Sequence, residues 1–160
     1  MRFIPGLLSV VMLCAGLAPA LARAGDSWPV PPSRSVLATP YGTLAVRTTS
    51  YVYGSALTLD GAEVQPPIKG LIAISYAYRM GKRNVALISV DTGDPACPVR
   101  YHWIALEKSG HRVTKAFGSC SPKIRVTARG RTLLLETPSA DDPGKTELWT
   151  YDGRSVKRRE

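Results

Sequence analysis

The chain has 160 residues, 44% hydrophobic and 21% charged, and its 21 Lys and Arg against 12 Asp and Glu give a formal net charge of +9 at pH 7. That length suits one domain with a real core, and that charge gives a cationic surface that favours anionic partners. No nucleotide-binding glycine loop, zinc-type Cys/His spacing or Gly-x-Ser-x-Gly nucleophile turn occurs, so no catalytic residue, no metal and no cofactor is expected.

At the N-terminus Arg2 precedes an apolar run from Leu7 to Leu17 and small residues ending in Ala22-Arg23-Ala24, the layout of a secretory signal peptide over residues 1–24. The run, bounded by Pro5 and broken by Gly16 and Pro19, is shorter than the roughly 18 to 20 apolar residues of a spanning helix. No membrane span is therefore expected after cleavage. Cys14 is a poor lipid-attachment site, because Leu13 and not a small residue precedes it. Cleavage after Ala24 leaves 136 residues, and because the removed segment holds Arg2 and Arg23 but no acid, 19 basic side chains face 12 acidic ones, a net charge of +7. The expected location is periplasmic or secreted.

Residues 25–35 are rich in proline and poor in periodic apolar positions, which predicts an extended or loosely held leader. From Val36 the text turns to short runs of Val, Ile, Leu, Thr and Tyr separated by Gly, Pro, Asp and Ser, the signature of antiparallel strands and turns. Nine strands are predicted: Thr43 to Tyr51, Ser55 to Leu59, Leu71 to Tyr78, Asn84 to Asp91, Arg100 to Glu107, Val113 to Phe117, Lys123 to Ala128, Arg131 to Glu136 and Glu147 to Tyr151. The fold class is all-β, an antiparallel meander forming a small barrel, a sandwich or a partial propeller over 36–153, with residues 154–160 as a basic tail. Turn glycines follow Asp60, Ser109, Arg129 and Asp152. The text around Gly61, Gly110 and Gly153 echoes weakly at spacings of 49 and 43 residues, which supports recurring hairpins more than a blade repeat.

In an oxidising compartment Cys97 and Cys120, the only cysteines left after cleavage, pair most simply with each other, closing a loop of 24 residues. A zinc site or a reactive thiol are the competing readings, and His102 and His111 supply no matching ligand spacing. Loop closure of this size contributes about 3 kcal/mol. Both cysteines lie in distinctive text, Ala96-Cys97-Pro98 and Phe117-Gly118-Ser119-Cys120-Ser121. This pattern resembles one in small exported proteobacterial β-rich proteins of unassigned function. The resemblance implies the same disulfide and no particular activity.

Neither histidine has a recognisable nucleophile partner, and Asp141-Asp142-Pro143-Gly144 reads as a turn rather than a pair of catalytic carboxylates. With catalysis set aside, recognition is the expected work. The loops around Gly93 to Arg100 and Ser109 to Arg112 are the expected contact surface, with Asp94, Arg100, Ser109, His111 and Arg112 on it and Tyr101 and Trp103 as anchors. Arg79, Lys82 and Arg83, with Lys157, Arg158 and Arg159 in the tail, form the candidate anion-binding set. The leading expectation is a non-enzymatic periplasmic binding protein that inhibits a cell-wall hydrolase or neutralises a toxin as its immunity protein. The alternative is an envelope-associated structural or polyanion-binding protein, with an anionic envelope polymer as partner. Nucleic acid is not expected, because no stacking aromatics interleave with the basic runs.

Overall fold

A computed structural model describes residues 28–50, 54–142 and 144–159; the expected signal peptide and Cys14 lie outside the described residues. The described chain is all-β. Twelve strands form three four-stranded antiparallel meanders. The first sheet comprises β1 (Val36–Thr39), β2 (Gly42–Thr48), β3 (Ser55–Leu59) and β4 (Ala62–Glu63). The second comprises β5 (Leu71–Met80), β6 (Arg83–Asp91), β7 (Val99–Glu107) and β8 (Gly110–Val113), and the third β9 (Arg125–Arg129), β10 (Thr132–Pro138), β11 (Thr146–Tyr151) and β12 (Val156–Arg159). No helix among the described residues is long and apolar enough to cross a membrane.

The second sheet lies between the other two, and its inner strands are buried on both faces. Ala86, Ile88, Val90, Ile104 and Leu106 point to one side and pack with Leu44, Leu57, Val64 and Ile68. Val85, Leu87, Tyr101, Trp103 and Ala105 point to the other and pack with Phe117, Ile124, Leu133, Leu135 and Tyr151. This is why Val85-Ala86-Leu87-Ile88 reads as an unbroken apolar run, whereas antiparallel strands with one wet face alternate. A bulge between Ile74 and Tyr76 gives β5 access to both cores. Before it, Ile72 and Ile74 join the first core; after it, Tyr76, Tyr78 and Met80 reach the second with the same even numbering.

Four expectations need correction. Three strands, β1, β4 and β12, were not expected, and all three are sheet edges whose side chains are largely exposed, so they carry almost no burial pattern. The basic tail is instead a hairpin turn and strand β12 as far as Arg159, paired along β11 from Leu148 to Tyr151. The strand expected at Val113 to Phe117 is displaced: β8 ends at Val113, and Phe117 returns as an isolated bridge to Tyr101. The described part of the leader, residues 28–35, has no helix or named strand, as an extended leader would, but it is not loose. Trp28 lies 5.4 Å from the Arg125 guanidinium of the third sheet, Arg34 bridges Ile74 of the second, and the Ser35 carbonyl accepts from Val46 N–H of the first at 2.7 Å.

The echo around Gly61, Gly110 and Gly153 proves to be a structural repeat, since these glycines sit in the β3–β4, β7–β8 and β11–β12 turns, the same place in each sheet.

The Cys97–Cys120 disulfide is present, with Cα atoms 4.6 Å apart, and the distinctive text around it is a clasp on Tyr101. Phe117 exchanges two backbone hydrogen bonds with Tyr101, and the Tyr101 hydroxyl donates to the Ser121 carbonyl at 2.9 Å. Gly118 has φ +108°, and a Cβ there would lie 2.8 Å from the Tyr101 ring. The buried Ser119 hydroxyl bonds Thr137 Oγ1 at 2.8 Å and the Pro138 carbonyl, fastening the clasp to the third sheet. On the other arm Thr92 holds the Cys97 and Pro98 carbonyls, and the Asp94 carboxylate accepts from Ala96 N–H at 2.9 Å. Each of these residues thus has a structural job.

Trp103 stacks on Tyr151 at 5.5 Å between ring centres and packs with Phe117 and Tyr78, so Trp103→Ala should cost about 3–5 kcal/mol in urea unfolding. Gly118→Ala combines a positive φ with a ring clash and should lower stability by about 1–3 kcal/mol, whereas Gly93→Ala, with open space around it, should cost less in the same assay.

Candidate functional site

Hairpin meanders place every odd-to-even turn at the same end of its sheet, and stacking three such sheets gathers the turns into one surface. Five of them line a cleft of about 1000 Å³: Tyr41 from β1–β2, Gly81 and Lys82 from β5–β6, Lys108 and Ser109 from β7–β8, Arg131 from β9–β10, and Asp152 and Arg154 from β11–β12. Met80, Arg83 and Glu107 complete the wall.

Local bonds fix the cleft. The Tyr41 hydroxyl donates to the Lys82 carbonyl, joining the first sheet to the second. Arg83 Nε donates to Glu107 Oε2 at 2.9 Å, and its Nη1 donates to the Gly153 carbonyl at 3.2 Å, joining the second sheet to the third. The Arg83 guanidinium holds the Glu107 carboxyl below its ordinary pKa. Asp152 is likewise spent within its own turn, accepting from the backbone N–H groups of Ser155 and Arg154 and from the Ser155 hydroxyl, and these donors lower its pKa. Both acids of the cleft are therefore engaged. Lys82, Lys108, Arg131 and Arg154 are exposed, and their side chains make no ion pair or hydrogen bond among the described residues.

The arrangement can therefore bind an anion. Lysines act as point charges and guanidinium groups can fork onto carboxylate, sulfate or phosphate oxygens. Among the described residues no group of three or more His, Cys, Asp and Glu converges as a metal cage would require.

The structure divides the expected site residues. Lys82 and Arg83 line the cleft, and Arg79 is exposed beside it with Gly130 and Arg131. Strand alternation splits the other three cations. Lys157 and Arg159 point outward from the third sheet, while Arg158 points inward and lies 3.3 Å from the buried Glu147 carboxylate, which also accepts from Ser139 Oγ and Trp149 Nε1. Arg158 is thus a structural partner and leaves the anion-binding set. Tyr101 and Trp103 also leave the contact surface, because each is only 1% exposed in the second core.

The two expected contact loops do not meet either. Asp94 precedes β7 and Arg100 is its second residue, whereas Ser109, His111 and Arg112 follow its far end, and the nine-residue strand is about 26 Å long. Asp94 caps its own loop and Arg100 is half-buried on β7. Ser109 lines the cleft, Arg112 is exposed on β8, and His111 Nε2 accepts from Gln65 N–H at 3.0 Å, tying the second sheet to the segment that follows β4.

Lys108 and Arg131 escaped the sequence reading. A signal was present for Arg131: Gly81-Lys82, Gly130-Arg131 and Gly153-Arg154 each put a cation directly after a turn glycine, whereas Lys108 stands two residues before Gly110 and lacks it.

His102 stands outside the cleft, on β7, and its Nδ1 bonds the Thr114 carbonyl at 2.9 Å; because a carbonyl only accepts, Nδ1 carries the proton. Burial lowers its pKa below the ordinary 6.5. The unfolded chain therefore takes up the second ring proton, at Nε2, at a higher pH than the folded one. Stability from this residue is complete above about pH 6.5 and declines as the pH falls from there toward the folded value. Thermal melts between pH 7.5 and 5 should show that decline, and His102→Gln should flatten it. Comparison with known proteins returned no matching family model, no matching characterised protein and no matching solved structure.

Proposed function

We propose that this is a non-enzymatic binding protein whose cleft at the hairpin tips takes an anionic ligand, the polyanion-binding alternative of the sequence reading. One observation carries it: Lys82, Lys108, Arg131 and Arg154 converge from two of the three sheets with no ion-pair partner among the described residues, and with Arg83 they set five cations against two acids, Glu107 and Asp152, in the cleft lining. Aligning unpaired like charges costs free energy, and a ligand that neutralises them returns it. The inhibitor or immunity reading has lost its named anchors to the core, and its two loops lie at opposite ends of β7.

The disulfide supports a setting outside the reducing cytosol, in keeping with a cleaved signal peptide and a periplasmic or secreted location. An anionic envelope polymer is the partner class this reading favours.

Binding to a sulfated or phosphorylated polymer should fall by about tenfold or more between 50 and 200 mM salt. The Lys82→Gln/Lys108→Gln/Arg131→Gln/Arg154→Gln variant should keep its fold by circular dichroism and lose most of that affinity. A salt-insensitive complex with one protein, unaffected by these four substitutions, would overturn the proposal in favour of the inhibitor class.

A further inference from the structure

The cleft continues onto a second cationic surface. Ladder partners in the third sheet share a face, so Arg125, Thr127, Arg129, Thr132, Leu134, Glu136, Leu148, Thr150, Lys157 and Arg159 all point outward, away from the core residues Leu133, Leu135 and Tyr151. The outward face carries four cations against one acid, Glu136, which lies 3.6 Å from Arg125. The cations are confined to the two edge strands, β9 and β12, and Glu136 sits on β10. Between them runs a lane three strand spacings wide, about 14 Å, made of Thr and Leu side chains with Glu136 beside β9 and with Thr150 buried in its floor. Arg129, Lys157 and Arg159 are exposed and unpaired among the described residues. The turn Arg129-Gly130-Arg131 joins the two surfaces, since Arg129 belongs to the outward face and Arg131 to the cleft.

We infer that the ligand is a linear anionic glycan, which threads the cleft and runs over the β9–β10 turn onto the outer face of the third sheet. A small anion has no use for the second surface. A chain bearing acidic groups at intervals can reach both, and the second set of contacts then forms at high effective concentration. The floor of the lane favours sugar over nucleic acid. It offers Leu134 and Leu148 as apolar contacts and the Thr127 and Thr132 hydroxyls, which have no protein partner among the described residues. No lane residue is aromatic; Trp149 faces the core, and the partly exposed Trp28 already carries the Arg125 guanidinium 5.4 Å from its ring centre, so the lane has no row of rings for successive bases to stack on.

This inference rests on the cleft being an anion site, and the test separates the two. The protein with its disulfide intact is titrated with a heparin tetrasaccharide, unfractionated heparin, and single-stranded DNA of matched length and charge, alongside the Arg129→Gln/Lys157→Gln/Arg159→Gln variant. Expected is a gain of about tenfold or more for the long glycan over the tetrasaccharide, with a steeper salt dependence. The triple variant should lose that gain and bind the tetrasaccharide unchanged. If the triple variant keeps the gain, the outer-face track is wrong and the cleft reading stands. If neither glycan binds the folded protein, the cleft reading falls and the track with it. If matched DNA binds as tightly with the same length dependence, the glycan assignment is wrong and the surface is a general polyanion track.

Discussion

The constraint on which the structure depends is burial of the central sheet on both faces. Over Val85–Ile88 of β6 and Trp103–Leu106 of β7 both faces are buried, so these residues are apolar in both parities, and each parity finds a different partner sheet. Removing either outer sheet would expose a full apolar face of the second. The three meanders are therefore a cooperative stack, in which each four-stranded unit is too thin to bury its own hydrophobic side chains. The bulge at Ser75 belongs to the same logic. It lets one strand feed Ile74 to one core and Tyr76 to the other.

Stacking meanders also creates the site. Each unit contributes its hairpin tips to the same end, and turn residues are chosen for backbone geometry and solvation, not for packing. Charges placed beside turn glycines thus meet in space without any pattern that joins them in sequence. The bonds that bring them together are made by neighbours: Tyr41 on the Lys82 carbonyl, and Arg83 on Glu107 and Gly153. Arg83 pairs with Glu107 and holds the sheets, so the four neighbouring cations face one remaining acid, Asp152, which hydrogen-bonds within its own turn.

The disulfide segment shows how distinctive text can be structural. Phe117, Gly118, Ser119 and Ser121 stand out in the sequence, yet each is explained by the wrapping of Tyr101 and the fastening of the clasp to Thr137 and Pro138. The segment with the strongest sequence signal is a fold determinant, and the cleft that carries unpaired charge arises from segments that read as ordinary turns.

The sequence by itself pointed to the all-β class, the inner strands and the cysteine pair, because these depend on local features: β-branched and aromatic runs, turn glycines, and two cysteines in the β-rich segment with no metal-ligand spacing around them. It also marked Lys82 and Arg83 as basic. It did not show the edge strands β1, β4 and β12, whose pairing is supplied by a neighbour's backbone and whose side chains are mostly exposed. Only the tertiary structure decided that Tyr101 and Trp103 are core, that Arg158 answers a buried glutamate while Lys157 and Arg159 face outward, and that Lys108 and Arg131 join the cleft. These outcomes depend on which sheet packs against which face and on strand parity across a ladder. Such relations link residues far apart in the chain, and periodicity within one segment carries no record of them.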